Sequence, residues 1–308
     1  MRIYTFYQLD VFTEKKFCGN PLAVFPEAQG LTDSEMQHIA GEMNLSETVF
    51  VLPSENALRR LRIFTPRQEL PLAGHPVVGT WNLLARLGIT PQTESGVVEV
   101  RQELNIGILP VEIAFRENEP FKVTMTQGEF KAFSKITDEE EIAKISAGLG
   151  LSQDNLNYSD ELPIQVVSTG IKALAVPVKT LDALSRVKIN SSLLSESYLA
   201  HNAIGCYAFC FETFEETSRI HARFFAPDDG IAEDAATGSA AGSLSGYLVY
   251  HGASNTYKNI AEFVLEQGDF MKRPSRIFAE VTGEKGKVEL VKIGGSSIIV
   301  AKGEVYLD

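Results

Sequence analysis

Two short glycine-containing stretches hold the residue types best suited to binding a small anion. Residues 72–79 read LAGHPVVG and residues 236–242 read ATGSAAG, and each stretch leads directly into an apolar segment with helical spacing. The first N–H groups of a helix have no partners within the helix, and the aligned peptide dipoles make that end partly positive. Such an end binds carboxylate or phosphate groups. The sequence therefore predicts two helix N-termini that hold a small anionic substrate.

The two stretches also align with each other at a constant spacing. Farther upstream, residues 62–66 (RIFTP) resemble residues 223–227 (RFFAP). A duplicated half-molecule accounts for these matches, and we expect each copy to direct its helix N-terminus toward a shared cleft. The matched pairs are Gly74 with Gly238, His75 with Ser239, Leu84 with Leu248, and Gly88 with Gly252.

Composition limits the classes of protein to be considered. The 308 residues are 44% hydrophobic, which suits one large domain or two ordinary ones. The formal net charge of −12 gives no basic surface for nucleic acid, so an anionic substrate needs a local attraction. No run of about 18 apolar residues predicts a membrane span, and the N-terminus lacks the apolar core of a signal peptide. We expect a cytoplasmic protein with neither nucleic-acid nor membrane partners.

The cysteines and histidines predict neither disulfides nor a metal site. The three cysteines are Cys18, Cys206 and Cys210, and the last two lie in an apolar segment that reads as a buried strand. Free cysteine packs as a small hydrophobic residue, so we expect both to fill the core. The five histidines are scattered along the chain, without the short spacings of metal ligands.

Two helices have recognisable start signals. Thr32 and Glu35 form a capping-box pattern that predicts a helix directly after Thr32. Thr137 and Glu140 predict the start of another helix, which ends at Gly148.

The remaining pattern predicts short strands around one apolar helix in each half of the chain. One apolar helix follows Gly74 and the other spans residues 240–250. Regular strand–helix–strand alternation is absent. We therefore expect an α+β fold in which a mainly antiparallel sheet curls around a central helix in each lobe. Strands are expected near 3–12, 22–25, 48–52, 59–64, 97–102, 108–115, 121–126, 164–168, 171–178, 205–212, 219–225, 261–265, 276–282, 287–291 and 297–306.

At this point the motifs resemble those of the PhzF-like family of phenazine-biosynthesis isomerases. The motifs occur in the family's order over nearly the whole chain, and they are highly specific together. One departure is Ala235, which stands where the family has proline in its Asp-Pro-Ala-Thr-Gly motif. The motifs are GNPLAVF at 19–25, LSET at 45–48, AGHP at 73–76, EDAATGSAAG at 233–242 and MKRPS at 271–275.

The resemblance implies a diaminopimelate epimerase-like fold with two pseudo-symmetric lobes. We expect the N-terminal lobe to span residues 1–118 and to be completed by the final strand, at about 298–308. The C-terminal lobe would span residues 119–297, with the active site in the cleft between the lobes. The boundary is placed by the polar composition of residues 117–120.

The resemblance also implies that Glu47 is the single catalytic acid/base. Diaminopimelate epimerases use two opposed thiols, but His75 and Ser239 stand at the two helix starts here, which disfavours a two-thiol racemase. Glu47 precedes the apolar strand 48–52, where partial burial would suit a group that both accepts and returns a proton. The alternative is an ordinary strand-edge glutamate capped by Ser46 or Thr48.

The other site residues also come from the resemblance, and each has a structural alternative. His75 could be held by backbone contacts alone, Asp234 or Ser239 could cap the second apolar helix, and Asn20 could serve only its turn. The predicted catalytic residues besides Glu47 are His75 and Asp234, and the predicted substrate-binding residues are Asn20, Gly74, Gly238 and Ser239.

The leading functional hypothesis is a PhzF-like isomerase that moves a proton, and with it a double bond, on a small carboxylate-bearing amino or hydroxy acid. One alternative is an epimerase or racemase that uses Glu47 with Asp234 or His75. Another is a non-catalytic protein that binds small carboxylates. Residues 74–79 lack the Gly-x-Gly-x-x-Gly spacing and no phosphate-binding Walker lysine occurs, so we expect no cofactor. The family also implies a homodimer, and specificity is expected in loops near 154–161 and 228–232.

Overall fold

The computed structural model describes residues 1–254 and 256–308 as a mixed α/β protein that is rich in strands. Among these residues no helix is both long enough and apolar enough to cross a bilayer. The helices are α1 Asp33–Met43, α2 Gly74–Arg86, α3 Glu139–Gly148, α4 Leu181–Ser185, α5 Ser191–Leu199 and α6 Gly238–Tyr250. The strands are β1 Arg2–Val11, β2 Asn20–Phe25, β3 Glu47–Leu52, β4 Arg59–Phe64, β5 Glu69–Leu70, β6 Gly96–Leu104, β7 Gly107–Arg116, β8 Glu119–Thr126, β9 Lys131–Lys135, β10 Gln165–Ser168, β11 Lys172–Pro177, β12 Cys206–Cys210, β13 Ser218–Ala226, β14 Ile231–Asp234, β15 Ile260–Gln267, β16 Ser275–Glu284, β17 Lys287–Gly295 and β18 Ser297–Leu307.

The chain divides into two compact units. The first comprises residues 1–126 together with 294–308, and the second comprises residues 127–293. The sequence had placed the division at 118/119, on the polar composition of that segment. There the chain instead makes a tight turn, with φ of 52° at Glu117 and 66° at Asn118, and β8 returns antiparallel to β7. This hairpin keeps β8 in the first unit.

In the first unit the sheet curls around α2. β1 pairs antiparallel with β18 and β2, β2 pairs parallel with β3, and β3 pairs antiparallel with β4. β4 pairs antiparallel with β5 and parallel with β6, and β6, β7 and β8 form a meander. Strands from both ends of this series (β18, β1, β2, β3, β7 and β8) contact α2. Every residue of α2 except Arg86 is buried, as its apolar sequence predicted.

The second unit repeats the same succession of pairings. β10 and β11 are antiparallel, β11 and β12 are parallel, and β12 and β13 are antiparallel. β13 then pairs antiparallel with β14 and parallel with β15, and β15 pairs antiparallel with β16. The central helix α6 contacts β10, β11 and β16, and only Ser239 and Tyr250 of its residues are not fully buried. The mainly antiparallel α+β fold predicted from the sequence is thus confirmed.

The repeat extends to the ends of the two central helices. Both α2 and α6 are 13 residues long, and each is followed by a glycine in the left-handed region, with φ of 72° at Gly88 and 71° at Gly252. The N–H of Gly88 donates to Ala85, and the N–H of Gly252 donates to Val249 in the same way. Glycine adopts this conformation with little strain. This preference explains why both halves of the sequence have glycine at the matched positions.

A paired arginine and glutamate precede each central helix. Arg62 of β4 binds Glu69 through Nε and a terminal nitrogen, at 2.8 and 2.6 Å. Arg223 of β13 binds Glu233 in the same two-pronged way, at 2.8 and 2.7 Å. Each glutamate lies five residues before the first residue of its helix, so the pair fixes the backbone that enters α2 or α6.

Several local predictions can be compared with the structure. The capping box of Thr32 and Glu35 is confirmed at the start of α1. The predicted cap of α3 was wrong by one residue, because Asp138 rather than Thr137 occupies the N-cap and accepts from the N–H of Glu141 at 2.9 Å. The sequence analysis also predicted no regular element for five segments, namely β5, β9, β14, α4 and α5.

Cys206 and Cys210 pack in the hydrophobic core of the second unit, as predicted. Burial raises the pKa of Cys206 strongly and raises that of Cys210 to about 12. Both thiols therefore stay protonated and unreactive at neutral pH.

Candidate active site

Glu47 and His75 meet in the first unit. Glu47 is the first residue of β3 and His75 is the second residue of α2. Nε2 of His75 lies 3.2 Å from Oε2 of Glu47, and their side chains are only 6% and 16% exposed. The structure thus brings together an acid and an imidazole that lie 28 positions apart in the sequence and that were both predicted site residues.

Burial determines the charge state of this pair. Desolvation lowers the pKa of His75 to about 3, so its imidazole is neutral at physiological pH. The contact is therefore a polar one rather than an ion pair, and the carboxyl group of Glu47 faces a dipole instead of a full positive charge. A neutral imidazole can both donate and accept a hydrogen bond, so it can orient the carboxyl group or a substrate group beside it.

The position of α2 against the sheet creates this contact. A side-chain carbon added at Gly79 would lie 2.6 Å from Leu22 and 2.7 Å from Val11, so only glycine allows the helix this close to β1 and β2. Leu22 in turn lies opposite Glu47 in the parallel pairing of β2 and β3. The glycine one turn along α2 from His75 therefore helps to set the separation of the imidazole and the carboxyl group.

Asn20 lies on the strand next to Glu47. It is the first residue of β2 and is 1% exposed, and the hydroxyl of Ser46 donates to its Oδ1 at 3.5 Å. The loop before it is tightly held, because the N–H of Phe17 donates to the buried carboxylate of Asp10. Asn20, Ser46 and Glu47 thus form one side of the candidate site in the first unit.

The N-terminus of α2 has the features of an anion site. Its N-cap is Ala73, which has no side chain able to cap the helix, and no acidic residue lies in the first turn. The first-turn N–H groups of Gly74 and His75 therefore have no acid or cap from their own helix to bind. Both residues are buried, in a low-dielectric surrounding that strengthens their attraction for an anion.

The second unit holds Asp234 beside the N-terminus of α6. Asp234 is the last residue of β14, directly after Glu233, which Arg223 binds. The helix N-cap is Thr237, not Asp234, and the hydroxyl of Thr237 donates to Oδ2 of Asp234. The alternative that Asp234 is the N-cap of α6 is therefore wrong, because Thr237 occupies that position and donates its hydroxyl to Asp234.

Gly238 and Ser239 are the first two residues of α6. Thr237 makes no side-chain cap bond to the helix, and no acidic residue lies in its first turn. Gly238 is buried and Ser239 is half-buried, and the main-chain carbonyl of Ser239 accepts from the hydroxyl of Ser243 at 3.1 Å. The second unit therefore presents a helix N-terminus of the same type as the first.

The two units differ at the positions that carry chemistry. Glu47 begins β3 opposite Leu22, whereas Cys206 begins β12 opposite Leu174. His75 and Ser239 occupy the second positions of the two central helices. Asp234 follows the paired glutamate of the second unit, where Leu70 follows that of the first. The repeat thus retains two helix N-termini of the same type while the acidic and imidazole groups have diverged.

Sequence reasoning missed three side chains around Asp234, namely Tyr207, Thr237 and Gln267. Tyr207 donates to Oε1 of Gln267 at 2.7 Å, and burial together with the Asp234 carboxylate raises the pKa of Tyr207. Thr237 lies within the motif at 233–242, but the sequence analysis predicted no role for its side chain. Gln267 ends a strand in no recognised motif, so only its hydrogen bonds reveal it.

Among the described residues, one group has ligand atoms close enough for a metal ion: His221, Glu266 and Asp269. Glu266 already accepts from the N–H groups of Phe214 and Glu215, both at 2.8 Å. The guanidinium of Arg276 binds Asp269 at 3.1 and 3.2 Å and supplies the positive charge. A donor set already bound to an arginine does not fit a divalent cation.

Comparison with known proteins agrees with this fold. The model of the family described as phenazine biosynthesis-like protein, PhzC-PhzF, matches residues 9–303. The chain belongs to this family. An uncharacterized isomerase of Clostridium acetobutylicum is 36% identical, with 100% of both chains covered. The trans-2,3-dihydro-3-hydroxyanthranilate isomerase of Pseudomonas aeruginosa is 32% identical, covering 99% of this chain and 100% of that one.

A crystal structure of a PhzF-family phenazine biosynthesis protein from Bacillus anthracis has the same fold. It superposes with a TM-score of 0.86 at 32% identity and covers 100% of both chains. These matches confirm the resemblance found in the motifs, and they show that the protein is an isomerase of the PhzF family.

Proposed function

We propose that this isomerase moves a proton on a small carboxylate-bearing amino or hydroxy acid, with Glu47 as the acid/base. The observation that carries the proposal is the buried pair in which Oε2 of Glu47 lies 3.2 Å from a neutral His75. Because the imidazole is neutral, this contact does not favour the ionised carboxylate in the way that a salt bridge would. This environment favours a group that takes up and gives back a proton.

Glu47 removes a proton from one carbon of the substrate, and the electron pair of the broken C–H bond enters the conjugated system. The same carboxyl group, now protonated, delivers the proton to another carbon, so a double bond migrates with no net change in atoms or electrons. His75 orients the carboxyl group or a neighbouring substrate group. The overall reaction is an isomerisation, as the family requires.

The negative charge of the substrate is proposed to lie at the helix N-termini. The N–H groups of Gly74 and His75, and in the second unit those of Gly238 and Ser239, are the donors for a carboxylate. Such donors would also stabilise negative charge that develops as the C–H bond breaks. Asn20 and Asp234 are proposed to bind the amino or hydroxyl group of the substrate. No step requires a cofactor.

The experiment is proton exchange in deuterated water with trans-2,3-dihydro-3-hydroxyanthranilate, the compound in the Pseudomonas relative's name, and a panel of small unsaturated amino and hydroxy acids. The wild-type protein should place deuterium on carbon. Glu47→Gln should lower the rate of this deuterium incorporation by at least about 100-fold, because the amide cannot take up the proton. Glu42→Gln, an exposed change of the same type on α1, is the control.

The products discriminate between the possible reactions. Deuterium at a new carbon with a shifted double bond supports isomerisation. Deuterium at a stereocentre without a shifted double bond supports an epimerase instead. Full exchange by Glu47→Gln rules out Glu47 as the base. A cytoplasmic location stays a prediction from the composition, and a homodimer stays a prediction from the resemblance.

A further inference from the structure

Gln267 is completely buried in the second unit and uses every hydrogen-bonding position of its carboxamide. Its Oε1 accepts from the hydroxyl of Tyr207 at 2.7 Å and from the N–H of Thr237 at 3.2 Å. Its Nε2 donates to the main-chain carbonyl of Asp234 at 2.8 Å and to Oγ1 of Thr237 at 3.0 Å. A carboxamide has two donor hydrogens and two acceptor sites, so Gln267 is saturated.

The hydrogen-bond partners of Gln267 establish which end of its carboxamide is the nitrogen. The carbonyl of Asp234 can only accept, so it must face the NH₂ group, and the N–H of Thr237 can only donate, so it must face the oxygen. Because Thr237 Oγ1 accepts from Gln267, its own proton is directed away toward Oδ2 of Asp234. The bonds therefore run in one direction, from Gln267 through Thr237 to the Asp234 carboxylate.

These hydrogen bonds from Gln267 through Thr237 to Asp234 form a relay, and the backbone around the relay is also held in place. The buried hydroxyl of Ser275 donates to the carbonyls of both Ala235 and Gln267, each at 2.9 Å. Gly268 has a φ of +82°, and a side-chain carbon there would lie 2.5 Å from the carbonyl of Ala235. The segment that connects β14 to α6 is thus held against the end of β15 at Ala235, the residue directly after Asp234.

We propose that Gln267 is a positioning residue for the isomerase reaction, which acts through Thr237 to hold the Asp234 carboxylate in the orientation that binds substrate. This inference rests on the proposed role of Asp234 in the function above. Gln267 does not itself touch substrate. It fixes the direction of the Thr237 hydroxyl and the place where β14 ends and α6 begins.

The test compares Gln267→Leu and the near-isosteric Gln267→Glu with the control Gln165→Leu. Gln165 is also a buried glutamine of the second unit, but it binds His251 and the carbonyl of Phe133 rather than the relay. Both Gln267 variants should lose about 10- to 100-fold in kcat/KM, because a carboxylate misplaced by about 1 Å loses that much. The acidic limb of the pH profile of kcat/KM should move to higher pH, because the ionised Asp234 carboxylate loses the oriented hydroxyl of Thr237.

Gln165→Leu should lower the thermal stability but leave the acidic limb of the pH profile of kcat/KM unchanged, because it leaves the relay intact. Thr237→Ser keeps the hydroxyl and should retain the wild-type profile, whereas Thr237→Val should reproduce the Gln267→Leu shift. Adding Gln267→Leu to Thr237→Val should then cost no more than about twofold, because the route from Gln267 to Asp234 is already broken. A full additional loss in the double variant would overturn the proposal, as would a Gln267→Leu profile that keeps the wild-type limb.

A second readout needs no substrate. Carbon-13 NMR of labelled aspartate carboxyl groups, with the Asp234 signal assigned from Asp234→Asn, follows the titration midpoint of Asp234. The midpoint should rise in Gln267→Leu and Thr237→Val and stay at the wild-type value in Gln165→Leu. A rise in a protein that turns over no substrate would leave the positioning role standing and reject the proposed reaction. Turnover with an unmoved midpoint would reject the positioning role alone.

Discussion

Replacement of Gly79 by alanine tests whether close packing of α2 sets the geometry of Glu47 and His75. The added methyl group would lie 2.6 Å from Leu22 and 2.7 Å from Val11, and both side chains are completely buried. Carbon atoms in contact need about 3.5–4.0 Å, so either the helix or the two tightly packed side chains must move by about 1 Å. His75 lies one turn before Gly79 and must move with the helix.

The expected magnitude comes from two opposing effects. Alanine in a helix is favoured over glycine by about 1 kcal/mol, whereas overpacking a filled core costs about 1–3 kcal/mol. The matched control is Gly41→Ala in α1, where the added carbon would meet only the carbonyl of Pro66 at an ordinary 3.7 Å. Both variants gain the same helix term, so the difference between their free energies of unfolding isolates the overpacking cost, at about 1–3 kcal/mol.

The assay combines denaturant unfolding with turnover of a substrate identified by the exchange screen. Gly79→Ala should be less stable than Gly41→Ala by that margin, and its kcat should fall about 10- to 100-fold because the imidazole and the carboxyl group move apart. Gly41→Ala should keep the wild-type kcat. Equal stability of the two variants with unchanged kcat in Gly79→Ala would refute the claim that this contact positions His75.

The remaining predictions concern buried titratable groups. His75 has a folded pKa of about 3, below its unfolded value, so its contribution to stability is complete above about pH 6.5 and is lost as pH falls toward 3, by up to about 1.4 kcal/mol per unit. His75→Asn should show a shallower loss over this window by denaturant unfolding, and identical slopes would contradict a neutral buried imidazole. Of the three cysteines, Cys206 and Cys210 should not react with a thiol reagent in the native protein, because burial raises the pKa of both, whereas partly exposed Cys18 should react. Mass spectrometry of the labelled peptides checks this, and rapid native labelling at Cys206 would contradict the assigned core position.

Divergence of the repeat is consistent with the proposed reaction, in which Glu47 is the single base. Both units keep the paired arginine and glutamate, the buried central helix and the left-handed glycine after it, because these features build the scaffold. The reactive groups have no such constraint. Glu47 and Cys206 occupy the same position in matching pairs of strands, and the pKa of the cysteine is raised so far by burial that its thiol cannot act as a base.

Local sequence signals predicted the features that depend on neighbouring residues. The glycines at 88 and 252 require left-handed backbone, the Thr32 capping box starts α1, and the apolar run after Gly74 must be buried. These signals are local because φ angles, caps and helical periodicity involve residues within a few positions of one another. They were enough to predict the repeat, the central helices and the fold class.

Which side chains meet, and in what charge state, depends on contacts between distant parts of the chain. Gln267 lies 33 residues from Asp234, and no local pattern could show that its amide holds the backbone of that residue. The neutrality of His75 follows from its burial, which depends on how closely α2 packs against β1 and β2. The N-cap of α6 is Thr237, because Asp234 is the last residue of β14 and lies too early in the chain to occupy that position. Hydrogen bonds and desolvation act through space, so they appear only when the sheet has curled around its helix.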